Sequence, residues 1–173
     1  MASPGGQSPV QLSLVLREAL GNRHQHGCTG LMVLESRLVA GNAKSSSGLG
    51  VRIALADPDG EEVAARDRLE GLGGTLPGRI RSTVTHLEPL LASHGVEIRF
   101  HGVPLHNAIY RFDDEMLVTP YLYRLHGYQH PLLHLKRLGP AGIFESYAEQ
   151  FEAIWTESHP IFSTSGGPRD DAS

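Results

Sequence analysis

The sequence predicts an α/β fold, a single domain in which helices flank a mixed β-sheet. Runs of alternating apolar and polar residues recur along the chain, as is typical of half-buried strands. Stretches with apolar residues at helical spacing lie between and after these runs. Strands and helices alternate in the first half and a hairpin follows in the second, so the sheet should contain both parallel and antiparallel neighbours.

The size and composition of the chain limit the classes of protein it can belong to. Its 173 residues suit one domain, and 40% hydrophobic and 20% charged residues are ordinary for a globular protein. The net charge of −4 excludes a global basic field for nucleic acid. The single cysteine, Cys28, excludes an intrachain disulfide. Because neither an apolar run of membrane-spanning length nor a secretory signal is visible, we expect a cytoplasmic protein with no membrane partner. We also expect no cofactor.

The two ends of the chain are rich in Gly, Ser, Pro and charged residues. We therefore expect disordered tails at 1–8 and 163–173 around one globular domain at 9–162. The first element inside that domain should be a helix at 9–20, since apolar residues recur there at helical spacing and Gly21 follows as a stop.

Two strands and a helix are predicted next. Residues 31–40, LMVLESRLVA, predict a strand, and the small residues of 41–50 predict a flexible connector. The run 51–60, VRIALADPDG, alternates as a strand and ends in an Asp-Pro-Asp-Gly turn. A helix over 61–71 begins with two glutamates, which the helix dipole favours.

The middle of the chain predicts a long helix and a strand. Residues 76–95 carry an apolar stripe at helical spacing, and Pro89 should kink this helix before Gly95 closes it. The alternating run 96–102, VEIRFHG, then predicts a strand.

The second half predicts a β-hairpin, a further strand and a closing helix. NAIYRF and EMLVTPYLY should pair around Asp113 and Asp114, since aspartate favours tight turns by bonding its own backbone. Residues 131–138, PLLHLKRL, are the next strand. The run GIFESYAEQFEAIWTESHP has a wide apolar stripe, which predicts an amphipathic helix that buries Trp155 in the core.

Histidines concentrate in the second half of the chain and raise the question of a metal site. His126, His130 and His134 would share one face only on a helix, whereas Pro131 and the apolar run after it predict a strand. We therefore expect no bound metal ion.

Four phrases of the chain carry a family resemblance: VRIALADPDG, VEIRFHGVPLHNAIYRFDDEMLVTPYLY, PLLHLKRL and SYAEQFEAIWTESHP. In this order and spacing they make 51–161, about two thirds of the chain, similar to a phospholipase D-like domain of unknown function. That domain is found C-terminal to helix-turn-helix domains in bacterial (actinobacterial) transcriptional regulators. The resemblance implies a phospholipase D-like mixed sheet flanked by helices.

The phospholipase D superfamily uses a His-x-Lys-x4-Asp motif, followed by a Gly/Ser and Asn segment. There the histidine attacks phosphorus, the lysine neutralises phosphate oxygens, and two motifs meet from two repeats or two subunits. Here His106 and Asp113 match the motif, but Ala108 stands at the lysine position and 119–121 read Thr-Pro-Tyr. Loss of a phosphate-clamping cation removes much of the transition-state stabilisation, so the resemblance implies a catalytically degenerate member.

The leading hypothesis is a ligand-binding regulatory module associated with bacterial transcriptional regulation. Its cleft would bind a small anionic or phosphorylated molecule through five side chains: His106, Tyr110, Asp113, His134 and Lys136. Single-motif members pair about a two-fold axis, so we expect a homodimer with the hairpin near the interface. Residues 1–50 are too short and too rich in Gly and Ser for a helix-turn-helix domain plus a strand, so we expect DNA contact only through a separate domain or partner.

Two other functions stay open. A small phosphodiesterase or phosphotransferase would use His106 or His134 as its nucleophile and Lys136 as the phosphate clamp, with Asp113 as the remaining catalytic candidate. A scaffold for protein interaction would need no ligand.

The same residues also have structural interpretations. His106 fits a loop, Asp113 and Asp114 fit a turn, and His134 fits a partly buried strand position. Asp57 and Asp59 either form a turn or contact a ligand at the carboxyl end of a strand. Four tyrosines around the hairpin either pack across strands or line a wall for a planar or acyl ligand: Tyr110, Tyr121, Tyr123 and Tyr128.

Overall fold

A computed structural model describes residues 32–39, 48–92, 95–104, 106–122, 125 and 129–161. The predicted tails at 1–8 and 163–173 and the predicted helix at 9–20 lie outside these residues.

Within the described part of the chain, the strands form one mixed sheet. Their bounds are β1 Met32–Val39, β2 Gly48–Ala56, β3 Val96–His101, β4 Asn107–Phe112, β5 Glu115–Pro120, β6 Leu133–Lys136 and β7 His159–Pro160. The order across the sheet is β6-β5-β4-β1-β2-β3-β7. β1 is parallel to β4 and β2 to β3, whereas the other neighbouring pairs are antiparallel. The predicted α/β class is confirmed, and the sheet is mixed as expected.

Three α-helices and one 3-10 helix accompany the sheet in the described residues. Their bounds are α1 Glu61–Glu70, α2 Leu76–Leu87, the 3-10 helix Glu88–Ala92 and α3 Ile143–Glu157. α1 ends at Gly71, whose φ of 64° is left-handed and suits glycine. The long helix predicted to kink at Pro89 instead changes to 3-10 geometry at Glu88, because proline has no N–H for the α-helical ladder.

The core is divided between the two faces of the sheet. Ala54 points to the face covered by α3, where Phe151 is almost completely buried. Its neighbours Ile53 and Leu55 point to the opposite face and pack against Leu87 at the end of α2. This alternation is the period of two that the sequence shows in β2. Trp155 belongs to the α3-side cluster, so its predicted place in the core is confirmed.

Some strand boundaries differ from the prediction because pairing determines them. β2 begins at Gly48, inside the predicted connector, since its residues 48–55 pair with β1. β5 ends at Pro120 rather than continuing to 123. The short strand β7 was not predicted, because only its pairing with Arg99 and Phe100 of β3 defines it as a strand.

The directions of the strands bring several chain segments together at one end of the sheet. β2, β3 and β5 end there, and β1, β4 and β6 begin there. We call this the Tyr121 end, after the residue that follows β5. The opposite end, which contains the turn between β4 and β5, is the Asp113 end.

Candidate functional site

The residues predicted to line one cleft lie at both ends of the sheet. His106 directly precedes β4 and Asp113 directly follows it, so the whole of β4 separates them. At about 3.3 Å per residue, the seven steps of chain from one to the other span at most about 23 Å. One phosphate group cannot contact both within a single chain, and the single cleft expected from the sequence is not assembled there. The role of each residue in ligand binding stays a prediction.

Three of the predicted ligand-contacting residues, Tyr110, His134 and Lys136, share one face of the sheet. Tyr110 on β4 lies opposite Leu117 on β5, which in turn lies opposite His134 on β6. Neighbouring strands are about 4.8 Å apart, so Tyr110 and His134 are separated by about 10 Å. Lys136 follows two residues after His134 and points to the same side.

His134 is an exposed side chain with a carboxylate neighbour. Its Nε2 atom lies 3.2 Å from Oε2 of Glu115, and 62% of its side chain is exposed. Leu133 and Leu135 are half-buried and His134 and Lys136 exposed, so the predicted alternation of β6 is confirmed. The interpretation of His134 as a partly buried histidine is wrong, because β6 is an edge strand whose outer face reaches solvent.

The acidic pair at the Asp113 end forms a turn. Asp113 has a φ of 51°, a left-handed conformation that aspartate tolerates, and its carbonyl accepts a hydrogen bond from Nε of Arg111 at 3.2 Å. The backbone N–H of Arg137 donates to the Asp114 carbonyl at 2.9 Å, and its guanidinium lies 3.4 Å from the Asp114 carboxylate. The structural interpretation of these two residues is therefore confirmed.

The position that the superfamily motif reserves for lysine is closed to solvent. Ala108 is fully buried and lies opposite Thr119 across β4 and β5. The Thr119 side chain is also buried, and its hydroxyl has no hydrogen-bond partner among the described residues. The neighbouring Asn107 points to the other face, where its amide donates to Gln150 of α3 at 3.2 Å.

At the Tyr121 end, the chain after β5 and the loop before β6 contact each other. The N–H of Tyr121 donates to the carbonyl of His106 at 2.7 Å. The next N–H, of Leu122, donates to Nδ1 of His130 at 3.0 Å. The rings of Tyr121 and His130 meet edge to face, with centroids 4.9 Å apart and planes at 77°. These contacts hold the His130 imidazole in one orientation.

The protonation of His130 follows from its partners. Burial lowers the pKa of His130, and the positive charge of Arg66 lowers it further against the opposing effect of Glu70. The ring is therefore neutral at pH 7. Because Nδ1 accepts a hydrogen bond, the single proton must lie on Nε2. That Nε2 atom is buried and has no partner among the described residues.

Helix α1 contributes a cation to the same end. The guanidinium carbon of Arg66 lies 4.2 Å from the centroid of the Tyr121 ring, within the range of a cation–π contact. Nε of Arg66 pairs with Glu70 one turn later on α1. The Tyr121 ring therefore lies beside both Arg66 and His130, and the cluster comprises these three residues and Glu70.

The aspartates that follow β2 form a turn, as their structural interpretation expects. The N–H of Asp59 donates to Oδ1 of Asp57 at 2.9 Å, and the N–H of Gly60 donates to the Asp57 carbonyl at 3.0 Å. The Asp57 N–H donates to the carbonyl of His101 at 2.9 Å, which ties the ends of β2 and β3 together.

Several sequence-based questions fall on other parts of the chain. Cys28, Tyr123, His126 and Tyr128 lie outside the described residues. In the residues that are described, no group of three or more His, Cys, Asp or Glu side chains is placed to hold a metal ion. None of the described helices has the length and apolar character needed to span a membrane.

The sequence did not point to Arg66 or to His130 as a ligand-contacting residue. Arg66 and Glu70 look like an ordinary exposed i,i+4 pair, and His130 was considered only as a metal ligand. Their proximity depends on how α1 packs beside the loop before β6, which no local pattern encodes. The one available signal was the concentration of aromatic and histidine residues in 121–130.

Three comparisons with known proteins identify no relative of this chain. No protein-family model matches the chain, and searches of curated proteins and of solved structures return no significant match.

Proposed function

We propose that this protein is a phospholipase D-like module that has lost catalysis and binds a small anionic or phosphorylated molecule. It would act in the cytoplasm, in bacterial transcriptional regulation, and would reach DNA only through a separate domain or partner. The mixed α/β sheet and the phrases that resemble the family support this fold assignment. The chemistry of the Tyr121 end supports the binding function.

The observation that carries the proposal is a pair of buried polar atoms without partners among the described residues. They are Oγ1 of Thr119 and Nε2 of His130. Nearly all buried polar atoms in native proteins are hydrogen-bonded, because an unsatisfied one loses its hydration without compensation. A bound molecule with an acceptor oxygen beside Tyr121 would satisfy the Nε2 donor of His130, and Thr119 precedes Tyr121 by two residues.

The polarity of these groups favours an anion. The Nε2–H of His130 and the hydroxyl of Thr119 can both donate, and Arg66 adds a positive charge nearby. Donors together with a cation stabilise carboxylate or phosphate oxygens. A neutral ligand would gain the hydrogen bonds but not the charge interaction.

Loss of catalysis is supported by the surroundings of the motif residues. The methyl group of Ala108 is buried where a clamp cation is required, and His106 lies at the opposite end of β4 from Asp113. A phosphoryl transfer site needs its nucleophile and its positive charge around one phosphorus atom. The described residues of one chain do not offer that combination at His106.

Ligand-dependent thermal unfolding tests the binding function. A molecule that binds only the folded state raises the unfolding free energy by RT ln(1 + [L]/Kd), so the midpoint should rise with concentration and saturate. We expect this for inorganic phosphate or a phosphate monoester and not for glycerol at the same concentration. Native mass spectrometry of protein purified from its source should show a retained anionic molecule. Flat unfolding midpoints with every anion, together with an empty spectrum, would contradict the proposal.

A second candidate is a small phosphodiesterase or phosphotransferase centred on β6. It is favoured by His134 and Lys136, which point to the same exposed face, and by the Glu115 carboxylate beside His134 Nε2. Such a carboxylate could orient the imidazole for attack on phosphorus. Hydrolysis of a generic phosphodiester that disappears in His134→Ala and persists in His86→Ala would favour this candidate over the binding module.

The expected homodimer belongs to the same proposal. Because His106 and Asp113 lie far apart in one chain, only a second chain could bring equivalent residues near each other. Native mass spectrometry reports the oligomeric state directly, and a monomer at micromolar concentration would contradict this part.

A further inference from the structure

We propose that the Tyr121 end contains an oxyanion site in which Nε2–H of His130 donates to the anion and Arg66 supplies the positive charge. This inference rests on the proposed function and assigns its ligand to a specific place. The chemical class is a carboxylate or phosphate oxygen, presented by a small molecule.

The first step of the argument is the direction of the donor. The Leu122 N–H occupies Nδ1 of His130, and this contact forces the ring proton onto Nε2 in the neutral imidazole. His130 is nine-tenths buried, so water has little access to that proton. The protein therefore holds a hydrogen-bond donor with a fixed orientation and no partner among the described residues.

The second step is the charge near this donor. The charged groups that influence His130 from the described elements are Arg66 and Glu70, both on α1. Arg66 lies over the ring of Tyr121, which in turn contacts His130. Glu70 pairs with Nε of Arg66, and among the described residues the terminal nitrogens of this guanidinium have no hydrogen-bond partner that would compete with an anion. Arginine suits this task because its planar group binds carboxylate and phosphate oxygens in pairs.

A rival partner for the Nε2 proton is the face of the Tyr121 ring. The two rings meet nearly perpendicular, a geometry that also permits an N–H to point at the aromatic face. Such a contact is weaker than a hydrogen bond to an anion. The two arrangements therefore differ in whether an added anion changes the environment of Nε2.

Two substitutions separate the nitrogens of His130. In His130→Asn, the amide oxygen can still accept the Leu122 N–H near the Nδ1 position, but the Nε2 donor is lost. In His130→Gln, the longer amide can place a donor near Nε2 but loses the Nδ1 acceptor. Arg66→Gln removes the charge, and His86→Asn alters an exposed histidine of α2 as a matched control.

The test is titration of the full chain with inorganic phosphate, followed by thermal unfolding and by NMR of the histidine side-chain nitrogens. We expect saturable binding whose Kd rises about tenfold or more in His130→Asn and in Arg66→Gln, from the strength of a charged hydrogen bond. His130→Gln should retain more of the affinity than His130→Asn, and His86→Asn should bind as the unmodified chain does. The Nε2 resonance of His130 should shift with phosphate. A parallel titration with acetate shows whether a carboxylate or a phosphate is preferred.

The outcomes separate the site from the function. If phosphate binds the unmodified chain and both variants equally, the site assignment is overturned and the proposed function survives. If neither anion binds the unmodified chain, both are overturned. If His130→Asn does not fold, the phosphate affinity of Arg66→Gln and the Nε2 resonance of the unmodified chain still test the site. If phosphate binds saturably but leaves the Nε2 resonance unchanged, the site assignment is overturned.

Discussion

Introducing a lysine at position 108, where the phospholipase D superfamily motif has one, should destabilise the fold rather than create an enzyme. Ala108 is fully buried in β4, with β1 on one side and β5 on the other. A lysine there would place three further methylene groups and an ammonium into closely packed space. The motif position therefore lacks both the cation and the room for one.

The expected destabilisation has two parts. Overpacking a core position costs about 1–3 kcal/mol. An unpaired buried charge costs about a further 3–5 kcal/mol, judged from buried ion pairs that have lost one partner. The sum, about 4–8 kcal/mol, is comparable to the whole stability of an ordinary domain, about 5–15 kcal/mol. At about 2–4 °C per kcal/mol for a chain of this size, Tm should fall by about 10–30 °C or the variant should not fold.

The assay is urea unfolding of Ala108→Lys beside Ala108→Leu, which adds volume without charge. The unfolding free energy of the leucine variant should fall only by the contribution from overpacking. Burial lowers the pKa of a lysine, so the loss of unfolding free energy in the lysine variant should become smaller as the pH rises toward about 10. The loss of unfolding free energy in the leucine variant should not depend on pH.

Equal stabilities of the lysine variant and the unmodified chain would refute this reasoning. It would mean that position 108 opens to solvent or that a carboxylate reaches it. Phosphodiesterase activity gained by the same variant would also overturn the view that the chain has lost its catalytic architecture.

Three further outcomes are expected. Phe151→Ala should lower the unfolding free energy by about 3–5 kcal/mol, measured by urea unfolding, because this ring is 1% exposed and stacks on a neighbouring indole. Asp67→Asn should lower Tm at pH 7, since two backbone N–H groups donate to this carboxylate and lower the pKa of Asp67. That stabilisation is present above the unfolded pKa of about 3.9 and is lost as the pH falls through the folded pKa, so the Tm difference should vanish in strong acid. Glu115→Gln should change the unfolding free energy by less than about 1 kcal/mol, because its pair with His134 is exposed.

Much of the fold follows from local patterns. The alternation in 51–56 and 107–120 and the apolar stripe of 142–157 correspond to β2, the hairpin and α3. The position of β1 between β4 and β2 could not be predicted, because its alternation suits any neighbour. β7 was not predicted because its two residues are too few to show an alternation of apolar and polar side chains.

The candidate site was less predictable than the fold. The separation of His106 from Asp113 follows from the length of β4, which the hairpin prediction already contained. A lysine at the motif position would have been expected to face a cleft, and only the burial of Ala108 shows that this position is enclosed. The contact between Arg66 and Tyr121 joins two elements distant in the chain, so it depends on tertiary packing.

The order of the strands explains why an anion should bind at the end of the sheet and not on β4. β4 has a strand on each side, and its residues pack into the two faces of the core, which leaves position 108 without access to solvent. The edge strand β6 can expose His134 and Lys136, but the Glu115 carboxylate lies beside them and reduces the local positive charge. Helix α1 is the element that brings a cation, Arg66, over the ring of Tyr121, which in turn contacts His130 on the loop before β6. The proposed anion site therefore lies where α1 meets the loops at the Tyr121 end, because Arg66 and the buried donor of His130 both contact Tyr121 there.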